Sequence, residues 1–349
     1  MAGEEYTREY LQYGGQAIPE GVMMRSPHYF SVACRAPNGE IIAHTEAIEK
    51  TWIGRQKWLK FPFLRGSLAI LDAMALGGRA MRFATKIQLD DAYQPPSDNP
   101  QPEPDPISEP APPTSNRIQD AAIGSTLVIG ILIGIGIFVV LPNTIAEQFT
   151  RLGVSPMGKN IITEFIKIAF FIGYVGLIGL MPDIRRVFCY HGAEHKAINT
   201  LEAGHDLDIT NCEAQTRLHP RCGTSFAMIV LILSLLVFTF VPRYPIPDLP
   251  GYQNVAIRVF VELMILPIIA GIAYEALRFA GKFRNTKLIN YAFKPGLWSQ
   301  YLTTREPDHS QIEVALVALK QVVASEKEGR EVEYVPTPTP LRPEQVHAG

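Results

Sequence analysis

Apolar residues in this 349-residue chain gather in a few long blocks separated by polar, mixed or proline-rich stretches. Residues 121–142 (AAIGSTLVIGILIGIGIFVVLP) and 224–241 (TSFAMIVLILSLLVFTFV) contain no charged side chain. A helix of about 20 apolar residues crosses the roughly 30 Å hydrocarbon core of a bilayer, so both blocks predict transmembrane helices. Residues 161–181 are interrupted only by Glu164 and Lys167. Residues 255–280 carry Arg258 and Glu262 at one end and Glu275 and Arg278 at the other, around the charge-free centre LMILPIIAGIAY. That centre spans only if the flanking side chains reach towards the headgroups, as most of these charges, within a turn or so of a span end, are expected to do. Glu164 with Lys167, and Arg258 with Glu262, are also spaced to pair within their own helices. Pro267 should kink the fourth span. Four spans are predicted; the alternative is two spans and two buried helices of a soluble domain.

The rest of the chain reads differently. In residues 1–93, HYFSVACRA (28–36) and EIIAHTEAI (40–48) are strand-like runs around Pro37-Asn38-Gly39, a hairpin signal. Residues 61–86 form an amphipathic helix, either on the membrane surface with Arg65, Arg79, Arg82 and Lys86 towards lipid headgroups, or packed on the hairpin. The run GGQAIPEGVMMR (14–25) is a turn before the hairpin or a place where backbone approaches something closely. Residues 94–116 are proline-rich and acidic without Lys or Arg, which predicts a disordered linker. QIEVALVALK (311–320) has helical spacing, and the proline-rich end predicts a tail from 324 to 349. The fold class expected is a mainly α polytopic membrane protein with a small α/β N-terminal cytoplasmic unit (1–93). The linker joins it to a membrane domain (117–323) with spans near 121–142, 161–181, 224–241 and 255–280 and a His/Cys loop at 182–223.

Composition agrees with the membrane assignment. Charged residues make up 19% and hydrophobic residues 47%, against about 25% charged in soluble domains. A net charge of −2 gives no field for nucleic acid, so none is expected as a partner. With four spans, ten Lys and Arg residues flank the membrane on one side: Arg117, Arg185, Arg186, Lys196, Arg217, Arg221, Lys282, Arg284, Lys287 and Lys294. Three flank it on the other: Arg151, Lys159 and Arg243. Cationic loops stay inside, which places both termini and the 182–223 loop in the cytoplasm of a cell (inner) membrane. The opening MAGEEYTREY lacks the apolar core of a secretory leader. Cysteines in a cytoplasmic loop are reduced thiols available to a metal.

That loop carries the candidate chemistry. It contains Cys189-Tyr190-His191-Gly192-Ala193-Glu194-His195-Lys196 and later His219-Pro220-Arg221-Cys222-Gly223. If 190–203 is a helix ended by Gly204, His191 and His195 lie one turn apart on one face, able to reach one metal, with Glu194 beside them. His-x-x-Glu-His is the inverse of the zincin motif, in which two histidines bind zinc and the glutamate handles the proton of the attacking water. His219 and Cys222 add a nitrogen and a sulphur, and Arg221 is placed to lower the thiol pKa. The best ligand set is His191, His195, His219 and Cys222. Four ligands would close the site and make it structural; three would leave room for water and make Glu194 a base. A hydrogen-bonded polar cluster without metal is the alternative. Glu275, at the cytoplasmic end of the fourth span, could reach the site as an extra acid or ligand. No glycine-rich phosphate loop or GxSxG elbow occurs.

GGQAIPEGVMMRSP, YHGAEHKAIN, HPRCGTSF, AGIAYEALRFAG and QYLTTREPDHSQIEVALVALK together resemble the YqhQ-like family of bacterial membrane proteins. That family is described as a domain of unknown function or as predicted metal-dependent enzymes. The resemblance implies that His191, Glu194, His195, His219 and Cys222 occupy motif positions. It also draws attention to Glu20, Arg25, Glu275 and the run Thr303–Asp308. The long acidic linker departs from the family pattern. The function expected is a zinc-dependent (or other divalent transition metal) hydrolase-like membrane enzyme, with Glu194 activating water and Arg221 and Glu275 in support. Location alone suggests a membrane-associated peptide or lipid as substrate. The rival is a non-catalytic assembly factor or transporter whose metal only staples the loop.

Overall fold

The structure is a computed structural model that describes residues 13–48, 64–95, 125, 128–246, 248–282 and 287–334. The predicted linker falls almost wholly outside these residues, as does the tail beyond 334.

The N-terminal segment builds an antiparallel sheet of four strands in the order β1-β2-β3-β4: Gly14–Ile18, Gly21–Arg25, Tyr29–Arg35 and Ile41–Ala47. The expected hairpin is β3–β4. The GGQAIPEGVMMR run is itself a second hairpin, turned at Pro19-Glu20. Proline followed by a residue at positive φ is a type II turn, and Glu20 adopts φ 55°. Its carboxylate compensates by pairing with the Arg186 guanidinium, Nη2 to Oε2 at 2.6 Å.

Strand side chains alternate between faces, and each face of this sheet has its own cover. Ile18, Met23, Phe30, Val32 and Cys34 pack against helix α1 (Leu64–Leu89) through Leu76, Ala80, Ala84 and Ile87. Of the two settings expected for this helix, packing on the sheet is therefore realised, while Leu71, Met74 and Met81 remain exposed on its other side. Val22, Met24, Ala33 and Ile41 pack instead against two helices distant in sequence. One is α4 (Pro182–Glu202), through Tyr190, Ala193, Ala197 and Ile198; the other is α9 (His309–Glu328), through Ile312, Ala315, Leu316 and Leu319. Before α4 in sequence lie α2 (Val128–Leu152) and α3 (Pro156–Ile178), and between α4 and α9 lie the short α5 (Ile209–Glu213), α6 (Gly223–Phe240), α7 (Gly251–Lys282) and α8 (Lys287–Thr303). Asp308 caps α9 in a capping box with Gln311, and α9 runs to Glu328, five residues into the segment expected as tail.

The chain divides into two compact units. The first combines residues 1–95, 175–229 and 270–349; the second combines 96–174 and 230–269. The first unit thus joins the sheet and α1 with α4 and α9. A two-faced sheet with one flanking helix leaves an apolar face bare, and α4 and α9 supply the missing layer.

Among the described residues four helices are long and apolar enough to cross a membrane: Val128–Leu152, Pro156–Ile178, Gly223–Phe240 and Gly251–Phe279. Most of the first predicted span before Val128 lies outside the described residues. The charges within the second unit do not reach outward as expected. Glu164, Lys167, Arg258 and Glu262 are buried and pair with one another. Lys167 Nζ donates to Glu164 at 2.7 Å and to Glu262 at 2.6 Å, and Arg258 Nε donates to Glu262 at 2.9 Å. Asn143 Nδ2 adds a bond to Glu262 at 3.2 Å. A neighbouring set joins Arg243 to Glu147 at 3.2 Å and Lys159 to Glu147 and Tyr244. Charge in an apolar medium is tolerated only when paired, and these pairs tie α2, α3 and α7 together.

Candidate metal centre

The His/Cys segment is mostly helix. α4 extends through 182–202 and ends at Ala203, with Gly204 in the left-handed region at φ 71°. The helical rise stacks His191 and His195 as expected, their ring centroids 4.4 Å apart. Gly192 between them permits a close approach: a Cβ there would lie 2.1 Å from the Arg305 carbonyl oxygen. The segment after α8 is thereby held against α4, and Arg305 N–H donates to Phe188 O at 2.9 Å.

That approach fixes the histidines. His191 Nδ1 lies 2.9 Å from the Thr303 carbonyl oxygen, and His195 Nδ1 lies 2.6 Å from that of Arg217. A carbonyl only accepts, so each neutral ring carries its proton on Nδ1 and presents the Nε2 lone pair. His191 Nε2 is 3.2 Å from Cys222 Sγ. His195 Nε2 is buried, makes no well-formed hydrogen bond and faces the same Cys222 thiol, whose single S–H cannot serve both Nε2 lone pairs. Donor atoms of His191, His195 and Cys222 all lie within 4.8 Å of one another. A buried nitrogen lone pair without a donor is costly, and a cation among these three atoms removes that cost. The donor set, two imidazoles and a thiol, fits zinc or a similar borderline-soft ion.

Burial lowers the pKa of His195 and keeps it neutral. Burial would raise that of Cys222, but His195 and the Thr224 hydroxyl and amide outweigh it and draw the thiol below its ordinary value. Glu194 is buried, and burial pushes it up to about 8; the Cys222 charge adds to this, while His191 and the Gly15 amide act against it. A cation nearby reverses such a shift.

The other expected ligand is placed differently. His219 is buried, 5.7 Å from the His195 ring, and its Nε2 lies 3.4 Å from Glu202 Oε1. Gln300 holds its backbone through bonds of 2.8 and 2.6 Å. Arg221 also pairs with Glu202. His219 and Arg221 line the cavity, whereas Glu275 in α7 is not among its lining residues. The cavity, of about 330 Å³, is bounded by residues 13–17, by His191, Glu194 and His195, and by His219 and residues 221–224.

Sequence reasoning missed Glu202 and the carbonyls of Arg217 and Thr303, which carry no signal of their own. It marked the Gly14-Gly15 region without finding its counterpart. A Cβ on Gly15 would lie 2.9 Å from both Cγ and Cδ of Glu194 and 2.7 Å from Met23 O. The close approach expected at this run is therefore to the Glu194 side chain.

Fold and site together define a mainly helical protein with four candidate membrane-spanning helices and a small antiparallel sheet, carrying a His/His/Cys cluster. The family described as "Protein of unknown function (DUF1385)" matches residues 61–325, and the chain belongs to it. It is 32% identical over 319 residues to the uncharacterized protein YqhQ of Bacillus subtilis (strain 168), covering 90% of this chain and 93% of that protein. No solved structure matches.

Proposed function

We propose that this protein is a membrane-bound, metal-dependent hydrolase whose centre holds one divalent transition metal, zinc by donor type, on His191, His195 and Cys222. The observation that carries it is the gathering of three donor atoms within 4.8 Å, each imidazole locked by a backbone carbonyl so that Nε2 is free to ligate. Carbonyl partners of this kind orient metal-binding histidines. Three protein ligands leave a position open, the pattern of catalytic zinc. Once bound, the metal supplies a Lewis acid that makes water nucleophilic near neutral pH and polarises the bond to be cleaved. Glu194, lining the same cavity, takes the proton at a carboxylate oxygen and returns it to the leaving group. His219, held by Glu202, supports the cluster from beside His195. The Lys and Arg bias supports a cytoplasmic position for the centre in the cell membrane.

The test is the metal content of detergent-purified protein together with complementation of a deletion strain. Unmodified protein and Glu194→Gln are expected to retain about one metal per chain, the three-ligand count of a catalytic site. His195→Ala should lose it, and Glu194→Gln should fail to complement. Complementation by Glu194→Gln would make the metal structural. Unmodified protein without stoichiometric metal would end the proposal.

A further inference from the structure

Among the described residues β1 is an edge strand, with β2 as its single neighbour in the sheet. The pairing beyond it determines which of its backbone groups are left over. Ser26 N–H donates to Tyr29 O, and Arg35 N–H donates to Glu20 O. Even-numbered residues of β2 therefore direct their backbone groups towards β3, and Gly21, Met23 and Arg25 direct theirs towards β1. In the observed register these face Ile18, Gln16 and Gly14. Gly15 and Ala17 consequently turn their N–H and C=O groups away from the sheet.

Among the described residues no strand pairs with that edge, which opens on the metal-centre cavity. Gly15 and Ala17 line it together with His191, Glu194 and Cys222. Gly15 is exposed and Ala17 half-buried. The outward Gly15 N–H donates to the Glu194 carboxylate, which leaves the Gly15 carbonyl and the Ala17 N–H and C=O, and the Ala17 backbone has no partner among the described residues. Exposed edges are ordinarily blocked by charge, proline or a bulge. The sequence GGQAI has no charge or proline and pairs with β2 without a bulge. Donors and acceptors repeating every second residue match a peptide backbone; an acyl chain has no use for them.

Resting on the metal-dependent reading above, we propose that the cavity takes an extended peptide, which adds to the outer edge of β1 and so carries a backbone carbonyl past Glu194 and the His/His/Cys cluster. The substrate class is then a peptide or unfolded protein segment, with Gly15 and Ala17 as binding residues.

The probes are acetohydroxamate, a peptidyl hydroxamate with four amides, its four single N-methyl analogues, and lauroyl hydroxamate. Binding to the full-length, zinc-loaded protein in detergent is read by calorimetry. The peptidyl probe is expected to bind at least about tenfold more tightly than acetohydroxamate, the value of one or two net hydrogen bonds. N-methylation should abolish that gain at alternate amides only, because successive amides of an extended chain point to opposite sides. Ala17→Pro, which removes one outward N–H on an edge where proline is tolerated, should lose the same gain while keeping its metal. Should that variant not fold, the N-methyl series decides on unmodified protein. Zinc and acetohydroxamate bound, with no peptide gain or with N-methyl losses that do not alternate, would overturn the peptide assignment alone. Tighter binding of lauroyl hydroxamate than of the peptide would overturn it in favour of a lipid. Failure to retain zinc or to bind any probe would overturn the metal reading and the peptide assignment together.

Discussion

The molecule buries two polar clusters, and they are composed in opposite ways. In the second unit, Glu164 and Glu262 are matched by Lys167 and Arg258, with further bonds from Arg258 to backbone carbonyls and from Asn143 to Glu262. The set neutralises itself, which suits a role in fixing helices. In the first unit, His191, His195 and Cys222 are three donors with no cation among them, held in place by backbone carbonyls outside the cluster. On the proposed reading, a metal ion completes that set. Buried ionisable residues in one protein can thus be sorted by whether opposite charges are matched within the cluster.

The sharpest way to break this contrast is to remove one member of each set. Lys167→Met leaves two buried carboxylates facing one guanidinium and should cost about 3–5 kcal/mol, the usual penalty for an orphaned buried charge; thermal unfolding in detergent reads it. Next in size is Gly192→Ala. Its Cβ meets a backbone oxygen, which cannot move aside as a side chain would, so a loss of about 1–3 kcal/mol is expected, along with weaker metal binding as the His191 carbonyl partner shifts. Cys222→Ser should behave in the opposite sense to Lys167→Met. It should abolish metal retention yet change the stability of the metal-free protein by less than about 1 kcal/mol, since a hydroxyl keeps the bonds to His191 and Thr224. A large stability loss in that variant would make the two clusters alike. His219→Ala separates three ligands from four: retention of metal with roughly tenfold weaker affinity is expected of a supporting residue.

The fold was legible where physics is local. Uncharged blocks of span length marked the membrane helices, Asn38-Gly39 marked the β3–β4 hairpin, and the four-residue spacing of His191 and His195 required only a helix. Long-range pairing was not legible. Nothing in the sequence near Val22 and Met24 indicates that α4 and α9 cover that face, since any amphipathic helix would serve. The charges of the second and fourth spans carry the same signature whether they reach the headgroups or meet across a bundle. Cys222 could be joined to the histidines on chemistry alone, because soft donors are few. His219 could not be ranked against it, because its orientation depends on Glu202 and Gln300, both remote from any motif.

The smallest expected effect provides a baseline outside both clusters. Burial would raise the pKa of Glu326, but hydrogen bonds from His28 and Ser26 hold it below its ordinary value. A carboxyl depressed in the folded state stabilises above its unfolded pKa and loses that contribution as pH falls through the folded one. Glu326→Gln should therefore cost less than about 1 kcal/mol at neutral pH, and its melting temperature should converge with that of unmodified protein as pH is lowered through the carboxylate range.

The most direct test of the metal centre is X-ray absorption at the metal edge of protein purified with its native metal. Two imidazoles, one sulphur at about 2.3 Å and one further light ligand from solvent are expected for a three-ligand zinc site. An absorption edge too weak for stoichiometric metal, or a coordination shell without sulphur, would contradict it.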